Sequence, residues 1–149
     1  MNTLRYVFTA VILSGAAPVL AQSCANPIPI TIVSTYSGNT CTSTPQLPSL
    51  ANGAIQLFGN QDIYHVGAAD VQVGTQLVVT PSATFDVEVF VCRNQCSTYA
   101  TCVSAEDAQG PGGVETAKLP PGPGDYYVII GSPPTSDCGT YTMSVLGPL

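Results

Sequence analysis

Four acidic residues in the second half of the chain have types and spacings suited to metal binding. Asp86 and Glu88 are two residues apart in an alternating segment, which places both carboxylates on one face of a β-strand, roughly 7 Å apart. Asp107 lies in a later loop that can fold over that strand, and Glu115 follows it. Because calcium takes about six to eight oxygen ligands, the four residues are a candidate calcium site. The alternative is a set of solvated surface acids, since no Asp-x-Asp-x-Asp-Gly loop is present.

Catalytic chemistry finds less support in the sequence. His65 is the only histidine, so a Ser-His-Asp set would have to use it, and no Gly-x-Ser-x-Gly elbow is present. We expect a partly exposed strand histidine instead. The spacing of Asp86 and Glu88 is compatible with glycoside hydrolysis, but the chain has no Trp to wall a sugar cleft. The sequence therefore favours a protein that is not an enzyme and has no catalytic residues.

Three aromatic residues are candidates for a ligand platform. Phe90 and Tyr127 fall on the less buried side of alternating segments, and Tyr99 lies in a cysteine-rich loop. Exposed aromatic rings in secreted sandwiches stack on sugars, and Tyr99 is the strongest candidate of the three. The alternative is that these rings cover the core or close a hairpin.

Residues 1–21 have the pattern of a secretory signal peptide. Arg5 precedes an apolar run, and Val19 and Ala21 are small residues at the expected cleavage site. The alternatives are a buried N-terminal helix or lipidation at Cys24. We expect residues 22–149 to form a single domain that is secreted, either extracellular or periplasmic, with no membrane contact after signal removal.

All the cysteines follow this segment, and their number is even. An even count in an exported chain indicates disulfides. We expect a Cys24–Cys41 pair because these residues flank one strand-like segment, and the other four have no preferred pairing. Cys-x3-Cys-x5-Cys with one distant histidine is a poor zinc pattern. The six are Cys24, Cys41, Cys92, Cys96, Cys102 and Cys138.

Composition excludes several classes of protein. Charged residues make up 8% of the 149 residues, with 3 Lys+Arg against 9 Asp+Glu, so neither a charged helical bundle nor a nucleic-acid-binding surface is expected. A hydrophobic fraction of 45% argues against an acidic disordered chain.

Short β-branched and aromatic runs separated by Gly, Pro, Ser and Asn clusters predict an all-β protein. We expect a disulfide-stapled antiparallel β-sandwich, jelly-roll-like, with about eight short strands. Ser34–Gly53 and Cys92–Gly113 are expected to be long loops. The predicted strands are Ile28–Val33, Ala54–Phe58, Asp62–Gly67, Thr75–Thr80, Thr84–Cys92, Val114–Leu119, Asp125–Ile130 and Thr140–Leu146. The predicted core residues are Ile63, Val78, Phe85, Val87, Val89, Val91, Tyr126, Val128, Ile130, Tyr141, Met143 and Val145.

The order of several motifs between residues 55 and 147 resembles a known family. Asp62-Ile63-Tyr64-His65-Val66, Asp86-Val87-Glu88-Val89-Phe90-Val91, Gly124-Asp125-Tyr126-Tyr127-Val128 and Gly139-Thr140-Tyr141-Thr142-Met143-Ser144-Val145 are similar to segments of the bacterial pre-peptidase C-terminal domain. The resemblance implies a small β-sandwich of the kind attached to secreted bacterial peptidases, some members of which bind calcium. We expect the domain to stand alone behind its signal peptide, without a preceding peptidase.

Together these features predict a secreted, non-catalytic binding module that recognises a polysaccharide, a matrix protein or a cell surface. Two alternatives remain open. One is a structural protein that self-associates through strand edges, and the other is an accessory or regulator of a secreted peptidase. Calcium is the candidate cofactor, and no nucleic-acid partner is expected.

Overall fold

Two antiparallel sheets pack face to face, so the predicted β-sandwich is confirmed. The computed structural model describes residues 23–133 and 138–148; the predicted signal peptide lies outside them. The strands are β1 (Ile28–Pro29), β2 (Ser34–Asn39), β3 (Ser49–Leu50), β4 (Ile55–Gln56), β5 (Phe58–Val66), β6 (Gln76–Pro81), β7 (Glu88–Arg93), β8 (Thr101–Glu106), β9 (Glu115–Lys118), β10 (Tyr126–Ser132) and β11 (Thr140–Leu146). Within the described residues the helical elements are three single 3-10 turns.

The strand order separates the two layers. One sheet has five strands in the order β1-β5-β10-β7-β8, and the other has four in the order β2-β11-β6-β9. Strands β3 and β4 form a small separate hairpin. All neighbouring strands are antiparallel except β1, which runs parallel to β5. The chain crosses from the first sheet to the second between β1 and β2.

The inner faces of both sheets form the main core. The predicted core residues on β7, β10 and β11, together with Phe85 and Val87, are buried in it, as predicted. Val78 was assigned to the wrong face, because its neighbours Leu77 and Val79 are the buried residues of β6. Three consecutive apolar residues leave the phase of the alternation undetermined, and a shift of one residue exchanges the faces.

A second core covers the outer face of the five-stranded sheet. Ile63, Phe90 and Ile129 point outward from this sheet and are covered by residues 40–57, here called the covering segment. Its side chains Leu47, Leu50 and Leu57 are buried against them. Part of the predicted Ser34–Gly53 loop is therefore structural: it supplies β2, β3 and an apolar cover. Prediction missed this because the apolar residues of the covering segment have no regular period.

Gln61 fastens the covering segment to β5. Its side chain is 1% exposed, and Oε1 accepts hydrogen bonds from the backbone N–H groups of Leu47 at 2.9 Å and Gln46 at 3.3 Å. Its Nε2 donates to the Leu47 carbonyl at 2.9 Å. The amide thus satisfies backbone groups that burial would otherwise leave unpaired.

A buried carboxylate joins the covering segment to both sheets. Asp62 on β5 is fully buried; the Ser43 hydroxyl donates to Oδ1, and the Tyr141 hydroxyl on β11 donates to Oδ2 at 2.6 Å. The Tyr64 hydroxyl lies 2.7 Å from that of Tyr141. Burial raises the pKa of Tyr64 to about 12 and, together with Tyr64 and Asp62, raises the pKa of Tyr141. Both phenols therefore keep their protons and remain donors.

The disulfides are Cys24–Cys96, Cys41–Cys138 and Cys92–Cys102. The predicted Cys24–Cys41 pair is wrong. The segment between these two residues contributes β1 to one sheet and β2 to the other, so its ends are carried apart. The three bonds are consistent with an exported protein.

Several predicted boundaries also differ from the structure. Strand β8 lies within the predicted Cys92–Gly113 loop; as an edge strand with alternate residues exposed, it has little apolar signal. The Gly59-Asn60 turn signal lies inside β5, where Gly59 has a φ of +89°. The strand predicted from Thr84 begins only at Glu88.

We expect Gln61→Ala to lower the free energy of unfolding by about 2–4 kcal/mol, because it leaves buried backbone groups of the covering segment unpaired. Urea denaturation would measure the change. Gln56→Ala is the matched control: its exposed amide donates only to the Gly53 carbonyl, and its loss should cost less than about 0.5 kcal/mol. Equal stabilities of the two variants would contradict this role for Gln61.

Candidate functional site

An open groove lies where the covering segment meets the edge strand β8. We call it the Tyr99 groove, and its volume is about 480 Å³. One wall comes from the turn at residues 51–55, and the other comes from β8 and the residues before it. The residues that line these walls include Asn52, Ile55, Tyr99, Thr101 and Val103.

The turn that forms one wall has an unusual backbone. Ala51 and Asn52 have φ angles of +50° and +55°, a left-handed conformation that costs most residues roughly 1–2 kcal/mol. Backbone hydrogen bonds hold it in place: Ala51 N–H donates to the Ala100 carbonyl at 3.3 Å, and Asn52 N–H donates to the Thr98 carbonyl at 2.8 Å. Backbone strain of this kind concentrates at ligand sites.

Tyr99 projects from the opposite wall. Its side chain is 69% exposed, although its backbone is fixed: the Gln95 amide donates to its carbonyl at 2.9 Å, and its N–H donates to the Ser97 hydroxyl at 3.2 Å. The Cys24–Cys96 and Cys92–Cys102 disulfides flank this loop. The structure therefore holds an exposed aromatic ring on a tethered backbone.

The other two aromatic candidates lie outside the groove. Phe90 was expected on an exposed face, but it is 5% exposed because the covering segment lies over it. Tyr127 is half-buried and packs edge-on against the His65 ring, with ring centroids 5.2 Å apart. Among the three, only Tyr99 presents its ring to solvent.

The structure brings the four predicted acidic residues near one another. Burial, Asp107 and Asp86 raise the pKa of Glu88 to about 7. Burial, Asp86 and Glu115 raise the pKa of Asp107. We call these four residues the acidic cluster.

The members of the acidic cluster differ in their contacts. Glu115 is 2% exposed, and its Oε1 accepts hydrogen bonds from the N–H groups of Ala108 at 3.0 Å and Gln109 at 2.7 Å. By contrast, Asp86 Oδ1 and Glu88 Oε2 are buried without a hydrogen-bond partner. Within residues 23–133 and 138–148, no three His, Cys, Asp or Glu side chains are arranged to hold one metal ion. The cluster thus offers free oxygens without a complete coordination shell.

His65 pairs with a carboxylate, as a catalytic histidine would. Its Nε2 lies 3.1 Å from Asp125 Oδ2, while Asp125 Oδ1 accepts from the Ala68 N–H at 3.0 Å. The hydrogen bond from the Ala68 N–H lowers the pKa of Asp125 most, and the bond to His65 lowers it further. The pair connects β5 to the residue before β10 and lies on an exposed part of the surface.

Sequence reasoning selected Tyr99 but missed Asn52, Ile55 and Val103. The Asn52-Gly53 dipeptide, a turn signal, is the one feature that pointed to the left-handed turn. No local sequence signal places that turn beside β8, because the two segments are brought together by packing of the second core.

Comparison with known proteins identifies the fold. No protein-family model matches the chain, and no curated protein matches it. Among solved structures, it is similar to the pre-peptidase C-terminal domain of a collagenase from Bacillus anthracis, with 15% sequence identity and a TM-score of 0.54. The match covers 84% of this chain and 95% of that one. The fold is similar to that of a pre-peptidase C-terminal domain. Within the described part of the chain, no helix has the length and hydrophobicity to cross a membrane.

We expect Glu88→Gln to stabilise the protein in a pH-dependent way. A carboxyl whose pKa is raised by folding destabilises the folded state above that pKa, and the penalty disappears as the pH falls below the ordinary value of 4.5. Because Glu88 is only half-buried, solvent screening should leave a gain of about 1–2 kcal/mol at about pH 8.

Thermal unfolding of Glu88→Gln and the wild type across this pH range would measure the difference. The gain should shrink steadily from about pH 8 to about pH 4. A stability gain that is independent of pH would show that ionisation of Glu88 does not destabilise the folded protein.

Proposed function

We propose that this protein is a secreted, non-catalytic binding module that holds an extracellular polysaccharide or protein surface in the Tyr99 groove. The observation that carries the proposal is the exposed Tyr99 ring in an open groove whose walls are a disulfide-flanked loop and a left-handed turn. Both walls are tethered, so little ordering entropy is lost when a ligand binds.

The chemistry of the groove suits a ligand with both apolar and hydrogen-bonding surfaces. Ile55 and Val103 contribute apolar area, while the Asn52 amide and the Thr101 hydroxyl can donate and accept hydrogen bonds. A tyrosine adds a flat ring with a polar end. The groove is open, which favours an extended chain over an enclosed small molecule.

The likeness in fold supports an accessory role. The similar solved structure is the pre-peptidase C-terminal domain of a collagenase. On this chain the His65–Asp125 pair fastens strands together, which supports a structural rather than a catalytic use.

The test is retention of the oxidised protein on insoluble polysaccharides, collagen and peptidoglycan. We expect retention on one support and a loss of at least about tenfold in affinity for Tyr99→Ala, as for a central aromatic contact. Val73→Ser, which changes another exposed apolar residue away from the groove, is the matched control and should bind like wild type.

Other results would favour the alternatives. If no support retains the protein and it sediments as a concentration-dependent oligomer, self-association is favoured. If it remains monomeric but changes the activity or maturation of a secreted peptidase, the accessory role is favoured. Unchanged retention of Tyr99→Ala would remove the groove from the proposal.

We also propose that the acidic cluster takes up calcium, with Asp86 and Glu88 as the first ligands. Support comes from their two unpartnered oxygens and from the charge repulsion that a cation would relieve. Completing the shell would require further oxygens from Asp107 and from water.

Calcium should therefore raise the melting temperature of the wild type progressively through the millimolar range. Glu88→Gln should abolish most of that rise. Asp70→Asn, which alters an exposed acid in a separate 3-10 turn, should leave it intact. Equal rises in all three proteins would indicate a nonspecific ionic effect.

A further inference from the structure

The outer face of the four-stranded sheet is lined with serine and threonine hydroxyl groups. Unlike the outer face of the five-stranded sheet, it is covered by no segment among residues 23–133 and 138–148. Strands β2, β6 and β11 contain no charged residue, although acidic residues outnumber basic ones 9 to 3 in the chain. We call this surface the hydroxyl face.

The strand register arranges these hydroxyls in rows. Thr142 on β11 lies directly opposite Ser37 on β2 and Thr80 on β6, and all three side chains are exposed. The next row contains Thr35, Ser144, Val78 and Thr116. Strands are about 4.8 Å apart, and alternate residues on one strand are about 6.8 Å apart. The face is therefore a regular array of groups that both donate and accept hydrogen bonds.

The array contains a shallow depression of about 400 Å³. Its lining includes the hydroxyls of Ser37, Thr80, Ser82, Thr140 and Thr142. Five hydroxyl-bearing side chains around one depression can satisfy several hydroxyls of a ligand at once.

We infer that the hydroxyl face is a second binding surface and that its ligand is a neutral polysaccharide. A sugar chain presents the same kind of group as the face, a hydroxyl that donates and accepts. An anionic polysaccharide would find one cation here, Lys118 at the margin, on an acidic protein. The inference is independent of the Tyr99 groove, which lies on the opposite sheet.

A second copy of the chain is a poorer occupant. The central part of a protein–protein interface is rich in apolar and aromatic anchors and poor in small polar residues. The hydroxyl face has no exposed aromatic ring; its large apolar side chains are the half-buried Val78 and, at one corner, Leu146 with the exposed Val33 beside it.

The experiment measures depletion of the full, oxidised protein by microcrystalline cellulose, chitin powder and starch granules, with insoluble pectate as the anionic comparison. We expect binding to at least one neutral support, little binding to pectate, and affinity that is insensitive to salt because the three strands carry no charge. Binding to pectate alone, or loss of binding in moderate salt, would overturn the inference.

The variant Thr80→Val/Thr142→Val removes two facing hydroxyls while keeping the shape and the strand preference of both residues. It should weaken binding by about tenfold, whereas Thr80→Ser/Thr142→Ser should retain most of the affinity. Thr44→Val, which changes an exposed threonine of the covering segment outside both candidate surfaces, should bind like wild type. Circular dichroism of each variant would confirm that it folds.

The outcomes separate this inference from the proposed function. If Tyr99→Ala loses polysaccharide binding while the double valine variant keeps it, the groove is the polysaccharide site and the inference is wrong. The same holds if no neutral support binds the wild type, or if the double valine variant loses only self-association. If the double valine variant is the only one that loses polysaccharide binding, the result supports the hydroxyl face as the polysaccharide site, whatever ligand the Tyr99 groove binds.

Discussion

The five-stranded sheet has apolar side chains on both of its faces, and this constraint governs the rest of the structure. Its inner face is covered by the four-stranded sheet, as in any sandwich. Its outer face carries Ile63, Phe90 and Ile129, which need a cover of their own. The chain supplies one with the covering segment, fastened by the Gln61 amide and the Asp62 carboxylate. These two residues are adjacent on β5, so their side chains point to opposite faces of the strand. Each is buried where it bonds to the covering segment.

The cover extends only part of the way across the sheet, and this limit creates the Tyr99 groove. Beyond Ile55 the exposed side chains of β8 have no partner from the covering segment, so Val103 remains 37% exposed. No segment of the described chain covers the outer face of the other sheet. That face is polar because serine and threonine suit a strand exposed to water. Both candidate binding surfaces therefore lie on parts of the outer sheet faces that the covering segment leaves exposed to solvent.

Much of the fold could be predicted from alternation alone. The main core on β7, β10 and β11 was predicted correctly because each strand buries one face and exposes the other, which is the pattern that sequence reasoning detects. The covering segment and β8 were missed for opposite reasons. The first is apolar without a period, and the second is periodic but only weakly apolar. Phe90 was misplaced because its burial depends on the covering segment, which is distant in sequence.

The residues of the candidate functional sites were likewise predicted only in part. The acidic residues were predicted to converge because two of them share a strand face and the others lie in and after the next loop. Prediction of the Tyr99 groove would have required the knowledge that the turn at residues 51–55 contacts β8. Disulfide pairing likewise depended on which sheet each flanking strand joins, and no local signal in the sequence contains that information.

The pairing of β2 with β11 has a consequence for how the chain reaches its native state. Thr35 and Ser144, neighbours in that pair, are separated by 109 residues, and β11 is the central partner through which β2 joins β6. Until β11 has been synthesised, β2 has no sheet to join, and the inner face of the five-stranded sheet stays uncovered. Topologies dominated by such distant pairings fold slowly. A chain whose synthesis has not reached β11 therefore leaves β2 unpaired and apolar residues of the main core exposed to solvent.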